Sequence, residues 1–218
     1  MLPKDQVISL LRKSGLVAVI RTENPTDLVS VCRALDKGGV KFVEITMTIP
    51  DALDIVHEAV QQLTDTDVMI GVGTVLDGQT ARAAILSGAK FIVSPGFINE
   101  VVQICNTYGV VVMPGAFTAT EVINVWQSGA DIIKIFPADI GGPGYIKALK
   151  EPLPQVELLP TKGVDFETAP AFIKAGAIAV GTGTALVSKQ LIINKDYAQI
   201  TENALRFTKI IREAHGSK

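Results

Sequence analysis

The sequence predicts an α/β fold: a single-domain (β/α)8 TIM barrel with an N-terminal helix. Three observations predict it. Eight short, nearly continuous apolar runs alternate with longer segments of helical period, and a parallel sheet covered on both faces requires strands of that kind. Four of the helical segments stop in the same way, at Lys37-Gly38-Gly39, Ser87-Gly88-Ala89, Ser128-Gly129-Ala130 and Ala175-Gly176-Ala177. Glycine there accepts the left-handed backbone that closes a helix and turns the chain into the next strand. The length of 218 residues suits one such domain, residues 1–218, because these barrels begin at about 200 residues.

The elements follow in order. The opening MLPKDQVISLLRKSG is amphipathic and charged throughout, so it reads as a helix and not as a signal peptide. Strands are predicted at 16–20, 42–46, 68–72, 91–94, 110–113, 132–136, 156–159 and 178–180, each closed by Gly, Pro, Thr or a charged residue. Helices are predicted at 25–37, 51–63, 78–87, 99–108, 118–128, 145–149, 166–175 and 197–214. The competing architecture is an open doubly wound sheet, which often carries a Gly-rich turn after its first strand. Here that segment is Arg21-Thr22-Glu23-Asn24, without glycine.

Composition narrows the function. Basic and acidic residues nearly cancel, 20 against 22, which argues against a nucleic-acid partner. With 48% apolar and 19% charged residues the chain is not disordered as a whole. No uncharged apolar stretch reaches about 18 residues, so no membrane span or membrane partner is expected. Cys32 and Cys105 read as two small buried hydrophobes in a reducing compartment, and the expected location is cytoplasmic. His57 and His215 lack ligand spacing, so neither a metal nor a cofactor is expected. His57 reads as a surface or half-buried residue and Trp126 as packing.

In a barrel, chemistry sits where strands end in their C-terminal direction. Lys134 lies in Ile132-Ile133-Lys134-Ile135-Phe136-Pro137, inside a strand. Enclosure by Ile and Phe strips the hydration that an ammonium needs, which favours a free amine able to attack a carbonyl. The structural alternative is a lysine in a buried ion pair or one that snorkels out. Glu44 lies in Phe42-Val43-Glu44-Ile45-Thr46, again within a strand. It is either a proton shuttle or the salt-bridge partner of Lys134 or Arg21. A lysine nucleophile with a carboxylate is the minimum set for Schiff-base chemistry on a 2-keto acid. Gly163 and the run Gly181-Thr182-Gly183-Thr184 close the last two strands. Barrels often hold a phosphate there, or the glycines serve only tight turns. Gly71-Val72-Gly73-Thr74-Val75-Leu76 lacks the third glycine of a dinucleotide fingerprint.

These residues resemble the 2-keto-3-deoxy-6-phosphogluconate / 4-hydroxy-2-oxoglutarate aldolases, class I enzymes on small (β/α)8 barrels. The resemblance runs from Val17-Ala18-Val19-Ile20-Arg21 to about Leu186. Gly39-Val40 with Glu44-Ile45-Thr46 matches one family signature, and Gly129 with Lys134-Ile135-Phe136-Pro137-Ala138 and Gly142 matches another. Gly71-Val72-Gly73-Thr74-Val75-Leu76 and Ser94-Pro95-Gly96 also look like family segments. The resemblance implies that Lys134 forms the imine and Glu44 acts as acid/base. It also implies that Arg21 and Thr74 bind the keto-acid end while Pro95 and Phe136 shape the pocket. Thr161, Gly163, Gly183 and Thr184 fall where the family holds the substrate phosphate, and the implied assembly is a homotrimer. The implied partner is a small keto-acid substrate.

Two positions depart from the family pattern. The first signature usually ends in arginine, and Thr48 stands there, leaving Arg21 to compensate. The phosphate loop usually reads Thr-Gly-Gly, and here it is Thr161-Lys162-Gly163. Lys162 then adds a charge to a phosphate, reaches a distal carboxylate, or points outward. The leading expectation is cleavage of a 2-keto-3-deoxy-6-phospho sugar acid to pyruvate and glyceraldehyde 3-phosphate. The alternatives are cleavage of 4-hydroxy-2-oxoglutarate to pyruvate and glyoxylate, and a non-catalytic phosphate-ligand-binding barrel.

A lysine–carboxylate pair needs no Lewis acid. Turnover is therefore expected to survive EDTA, measured as pyruvate release. Activity lost on chelation and restored by a divalent ion would contradict this.

Overall fold

The computed structural model describes residues 2–23 and 27–216. Helices and strands alternate along them. The first half holds α1 (Lys4–Ser14), β1 (Leu16–Ile20), α2 (Leu28–Lys37), β2 (Phe42–Thr46), α3 (Ala52–Gln62), β3 (Met69–Gly73), α4 (Gly78–Leu86), β4 (Phe91–Val93) and α5 (Asn99–Thr107). The second half holds β5 (Val111–Met113), β6 (Gly115–Ala116), α6 (Ala119–Gln127), β7 (Ile133–Ile135), α7 (Gly142–Lys150), β8 (Leu158–Pro160), α8 (Ala169–Lys174), β9 (Val180–Thr182), α9 (Lys189–Ile193) and α10 (Tyr197–Gly216).

The sheet is parallel and curled, in two arcs. One runs β5-β4-β3-β2-β1-β9 and the other β6-β7-β8. The arcs meet at Pro114, which has no N–H to donate. Before it the chain pairs with β4, and after it with β7. At the far edge, Thr161 makes an isolated parallel bridge to Gly181 in β9. The predicted single eight-stranded ladder is thus interrupted.

Two apolar clusters show which way each strand residue faces. Leu16, Ala18, Val43, Ile45, Ile70, Val72, Ile133 and Ile135 pack in the cluster that includes the surrounding helices. Val17, Phe42, Met69, Phe91, Val111 and Leu159, each next in sequence to a residue of that first cluster, form a second cluster, closed by Val7 and Leu11 of α1. Because side chains alternate along a strand, the first set faces outward to the helices. The second lines the concave face, and α1 caps it at the N-terminal ends of the strands.

The predicted element boundaries need some corrections. The helix predicted from 25 begins at Leu28, behind Asp27, whose side chain accepts from the Ser30 N–H at 3.3 Å; residues 25 and 26 lie outside the described residues. The helix predicted from 166 begins at Ala169, because Asp165 accepts from the Glu167 and Thr168 N–H groups in a turn of its own. The helix predicted from 145 begins three residues earlier, since Pro143 suits a first helical turn. The strand predicted at 178–180 lies at Val180–Thr182. Gly181 reads as a loop residue, yet it pairs with Val17 in the strand, where a Cβ would meet Thr161 Oγ1 at 2.5 Å. The β6 segment and α9 were not anticipated.

Trp126 is not core. Val122 and Val125 occupy the buried face of α6, and Trp126 is left exposed one position beyond it. Cys32 and Cys105 are both buried, as the sequence suggests, and burial pushes each thiol up to about 12.

The concave cluster rests on Phe91, which is fully buried and meets Phe42 with ring centroids 5.7 Å apart. Gly71 leaves room for its ring, since a Cβ there would collide with it. Phe91→Ala is expected to cost about 3–5 kcal/mol, the usual range for a core phenylalanine, read as a lower midpoint in urea unfolding.

Candidate active site

Lys134 is the central residue of β7. Its neighbours Ile133 and Ile135 both pack outward, so its side chain enters the concave face. It is 6% exposed, and its Nζ lies 5.2 Å from the Phe136 ring centroid. Glu44 is placed by the same rule: Val43 and Ile45 face outward, and Glu44 faces inward at 3% exposure. Among the described residues neither head group makes a hydrogen bond or an ion pair. Glu44 is therefore not the salt-bridge partner of Lys134 or of Arg21.

Sequence reasoning did not give Gly73 a role in the site. It ends β3 beside Glu44, and a Cβ at that position would collide with the Glu44 carboxylate and its Cγ. The bare backbone at Gly73 is what gives the carboxylate its place. Gly115 does the same for strand approach, since its Cβ would strike the Pro95 carbonyl. The signal for both was a glycine inside an apolar strand.

Arg21 follows β1 and is exposed. Its Nη2 donates to Thr74 Oγ1 at 3.4 Å. Thr74 follows β3 with φ of 60°, a conformation unusual for a side chain with a branched Cβ. Thr48 is exposed and its Oγ1 lies 2.8 Å from Thr46 Oγ1. Thr46 donates its own proton to the Ile20 carbonyl at 3.1 Å, so Thr48 is the donor between the two hydroxyls. Pro95 and Phe136 are half-buried at the ends of β4 and β7.

Thr161 follows β8, is 8% exposed, and its buried Oγ1 has no hydrogen-bond partner among the described residues. Such an orphaned hydroxyl is uncommon inside a protein and calls for an explanation. Lys162 and Gly163 follow with φ of 76° and 71°. After β9, Leu186 and Val187 both donate to the Gly183 carbonyl at 2.9 and 2.7 Å, forming one helical turn. The N–H groups of Gly163, Gly183 and Thr184 have no acceptor among the described residues. Asp139, which sequence reasoning missed, lies 3.5 Å from Lys162 Nζ.

Lys134 and Glu44 lie mid-strand, and the other residues of the site follow or end strands at one end of the sheet. A cavity of about 920 Å³ lies at the other end, lined by residues such as Val7, Leu10, Lys13, Lys41, Lys90 and Val111. The buried polar side chains converge instead on the concave face and the strand ends opposite that cavity.

Lys134 and Glu44 put a buried amine and a buried carboxylate on the concave face of a parallel sheet. The chain's relatives make it a carbon–carbon lyase of class I, the Schiff-base type. Comparison with known proteins then supplies the family. Residues 7–203 match the model for KDPG and KHG aldolases, and the chain belongs to that family. It is 31% identical over 206 residues to a 2-dehydro-3-deoxy-phosphogluconate aldolase of Treponema pallidum, covering 94% of this chain and 97% of that one. It is 32% identical to a 2-dehydro-3-deoxy-6-phosphogalactonate aldolase of Escherichia coli, covering 93% and 97%. A solved Legionella pneumophila KDPG aldolase, with pyruvate captured as a covalent carbinolamine, superposes with a TM-score of 0.84 at 26% identity, covering 91% and 96%. No helix among the described residues is long and apolar enough to cross a membrane.

Gly73→Ala tests the placement of Glu44. A displacement of about 1 Å at a catalytic group is enough to cost on the order of 10²-fold in rate. The variant is expected to lose that much kcat while keeping its circular dichroism spectrum.

Proposed function

We propose that the chain cleaves a 2-keto-3-deoxy-6-phospho sugar acid to pyruvate and glyceraldehyde 3-phosphate, with Lys134 forming the imine and Glu44 moving protons. The observation that carries this reading is Lys134 itself. A lysine on the concave face, 6% exposed and without an ion pair among the described residues, has no structural duty that would repay its burial.

The amine of Lys134 attacks the C2 carbonyl carbon, and the oxygen takes up a proton to give a carbinolamine. Loss of water leaves the iminium. A base removes the C4 hydroxyl proton, the C3–C4 bond breaks, and its electron pair moves into the iminium as an enamine. The aldehyde departs. Protonation at C3 and addition of water return pyruvate and the free lysine. Glu44 is the group assigned to these proton transfers, being the carboxylate buried on the same face. The iminium is the electron sink, so the reading calls for no cofactor.

Arg21 and Thr74, joined by their hydrogen bond, are assigned to the substrate carboxylate. Thr48, whose hydroxyl meets that of Thr46, is also assigned to the substrate, and Pro95 and Phe136 are assigned to the pocket wall. Thr161, Lys162, Gly163, Gly183 and Thr184 are assigned to the phosphate. In support, three backbone N–H groups there lack acceptors among the described residues, a single helical turn follows Gly183, and such ends attract anions. A second reading, 4-hydroxy-2-oxoglutarate as substrate, draws on Lys162, whose exposed cation also suits a distal carboxylate.

The wider proposal is one (β/α)8 domain over residues 1–218, with the two arcs as parts of one barrel. The Pro114 junction and the Thr161–Gly181 bridge support it. A cytoplasmic homotrimer completes it. Leu76, Phe97 and Ile140, exposed apolar residues after β3, β4 and β7, offer surface for a second copy.

Incubation with pyruvate and borohydride is expected to add one reduced pyruvyl group to the intact protein. Lys134→Ala should abolish both this adduct and turnover. An unchanged adduct in the variant would move the chemistry to another lysine.

A further inference from the structure

We propose that Asp139 is a specificity-determining residue that holds Lys162 at the mouth of the site and yields it to a dianionic group of the substrate. This rests on the phosphate reading above and adds a residue and a selection to it.

The pair is placed by backbone. Gly163 packs so closely on the loop after β7 that a Cβ would meet Asp139 Cβ at 2.5 Å and Asp139 Cα at 2.9 Å. Beside this seam the Ala138 N–H donates to the Thr161 carbonyl at 3.0 Å. Lys162 therefore leaves the chain next to Asp139, on a backbone with φ of 76° that lysine adopts only at a cost. Sequence alone put Lys162 in the loop but said nothing of a carboxylate opposite it.

The contact is loose. Nζ and Oδ2 are 3.5 Å apart, without a hydrogen bond, and the side chains are 55% and 40% exposed. Exposed ion pairs of this kind contribute little and exchange readily. Yet the carboxylate stands on the same seam as the open Gly163 N–H. Left bare, Asp139 would repel an anion arriving there; with Lys162 beside it the local charge is balanced.

Selection follows from competition for one cation. A neutral hydroxyl at the far end of a substrate cannot draw Lys162 from Asp139. A phosphate dianion carries more charge than the carboxylate and also meets the backbone donors, so it takes the lysine. Discrimination is the difference between these two binding free energies, and Asp139 sets the threshold.

The test compares kcat/KM for a 2-keto-3-deoxy-6-phospho sugar acid with that for its unphosphorylated counterpart. Asp139→Asn is expected to raise this ratio about two- to fivefold, the size of an exposed ion pair. Lys162→Met is expected to lower it about tenfold or more, as for a lost charge-assisted contact. The double variant should recover part of that loss. Asp139→Ser guards against an effect peculiar to the amide. A ratio unchanged or lowered in both Asp139 variants, in an enzyme that prefers the phosphorylated substrate, overturns the proposal alone. A wild-type enzyme with no such preference overturns the phosphate reading and the proposal with it.

Discussion

Side-chain alternation along a strand fixes this site. Ile133 and Ile135 are anchored in the helix-facing core, as are Val43 and Ile45. The residue between each pair has to face the other way, and those residues are Lys134 and Glu44. A slip of one position would turn four buried aliphatic side chains away from the helices and put two charged groups against them. The apolar packing of the outer layer is thus what orients the polar chemistry of the inner one. Neither charged group was inserted into the core at random, since both sit at the centre of a strand whose flanks are locked.

The inner face is crowded, and glycine makes its space. Gly71 yields to the Phe91 ring, Gly73 to the Glu44 carboxylate, Gly115 to the Pro95 carbonyl and Gly181 to Thr161. Burying a charged or polar group without a partner is costly. Here the described residues leave the Lys134 and Glu44 head groups and the Thr161 hydroxyl unpaired. Such local losses are what a site pre-arranged for a polar substrate would carry, because the substrate supplies the missing contacts.

The two ends of the sheet have been given different work. At one end α1 closes the concave cluster with Val7 and Leu11, a packing task that needs only apolar shape. At the other end the loops after β7, β8 and β9 bring together the Lys162–Asp139 pair, open backbone N–H groups and the mouth above Lys134. Stability and chemistry are separated along the strand axis, so loop changes at the mouth leave the packed floor untouched.

The order of elements, the parallel strands, the buried state of both cysteines and the positions of Lys134 and Glu44 were legible in the sequence. Apolar runs, glycine stops and charges inside strands are local signals, and burial follows from them. Helix starts governed by a side-chain turn, as at Asp165, were not legible from periodicity, nor was the break in pairing at Pro114. Nor could the chain alone say whether Glu44 was bonded to Lys134, which strand required Gly73, or that Asp139 faces Lys162. Those facts join residues 23 to 90 positions apart. Only the curl of the sheet and the packing of its loops decide such distances, because one dimension of sequence carries no record of which backbones come to touch.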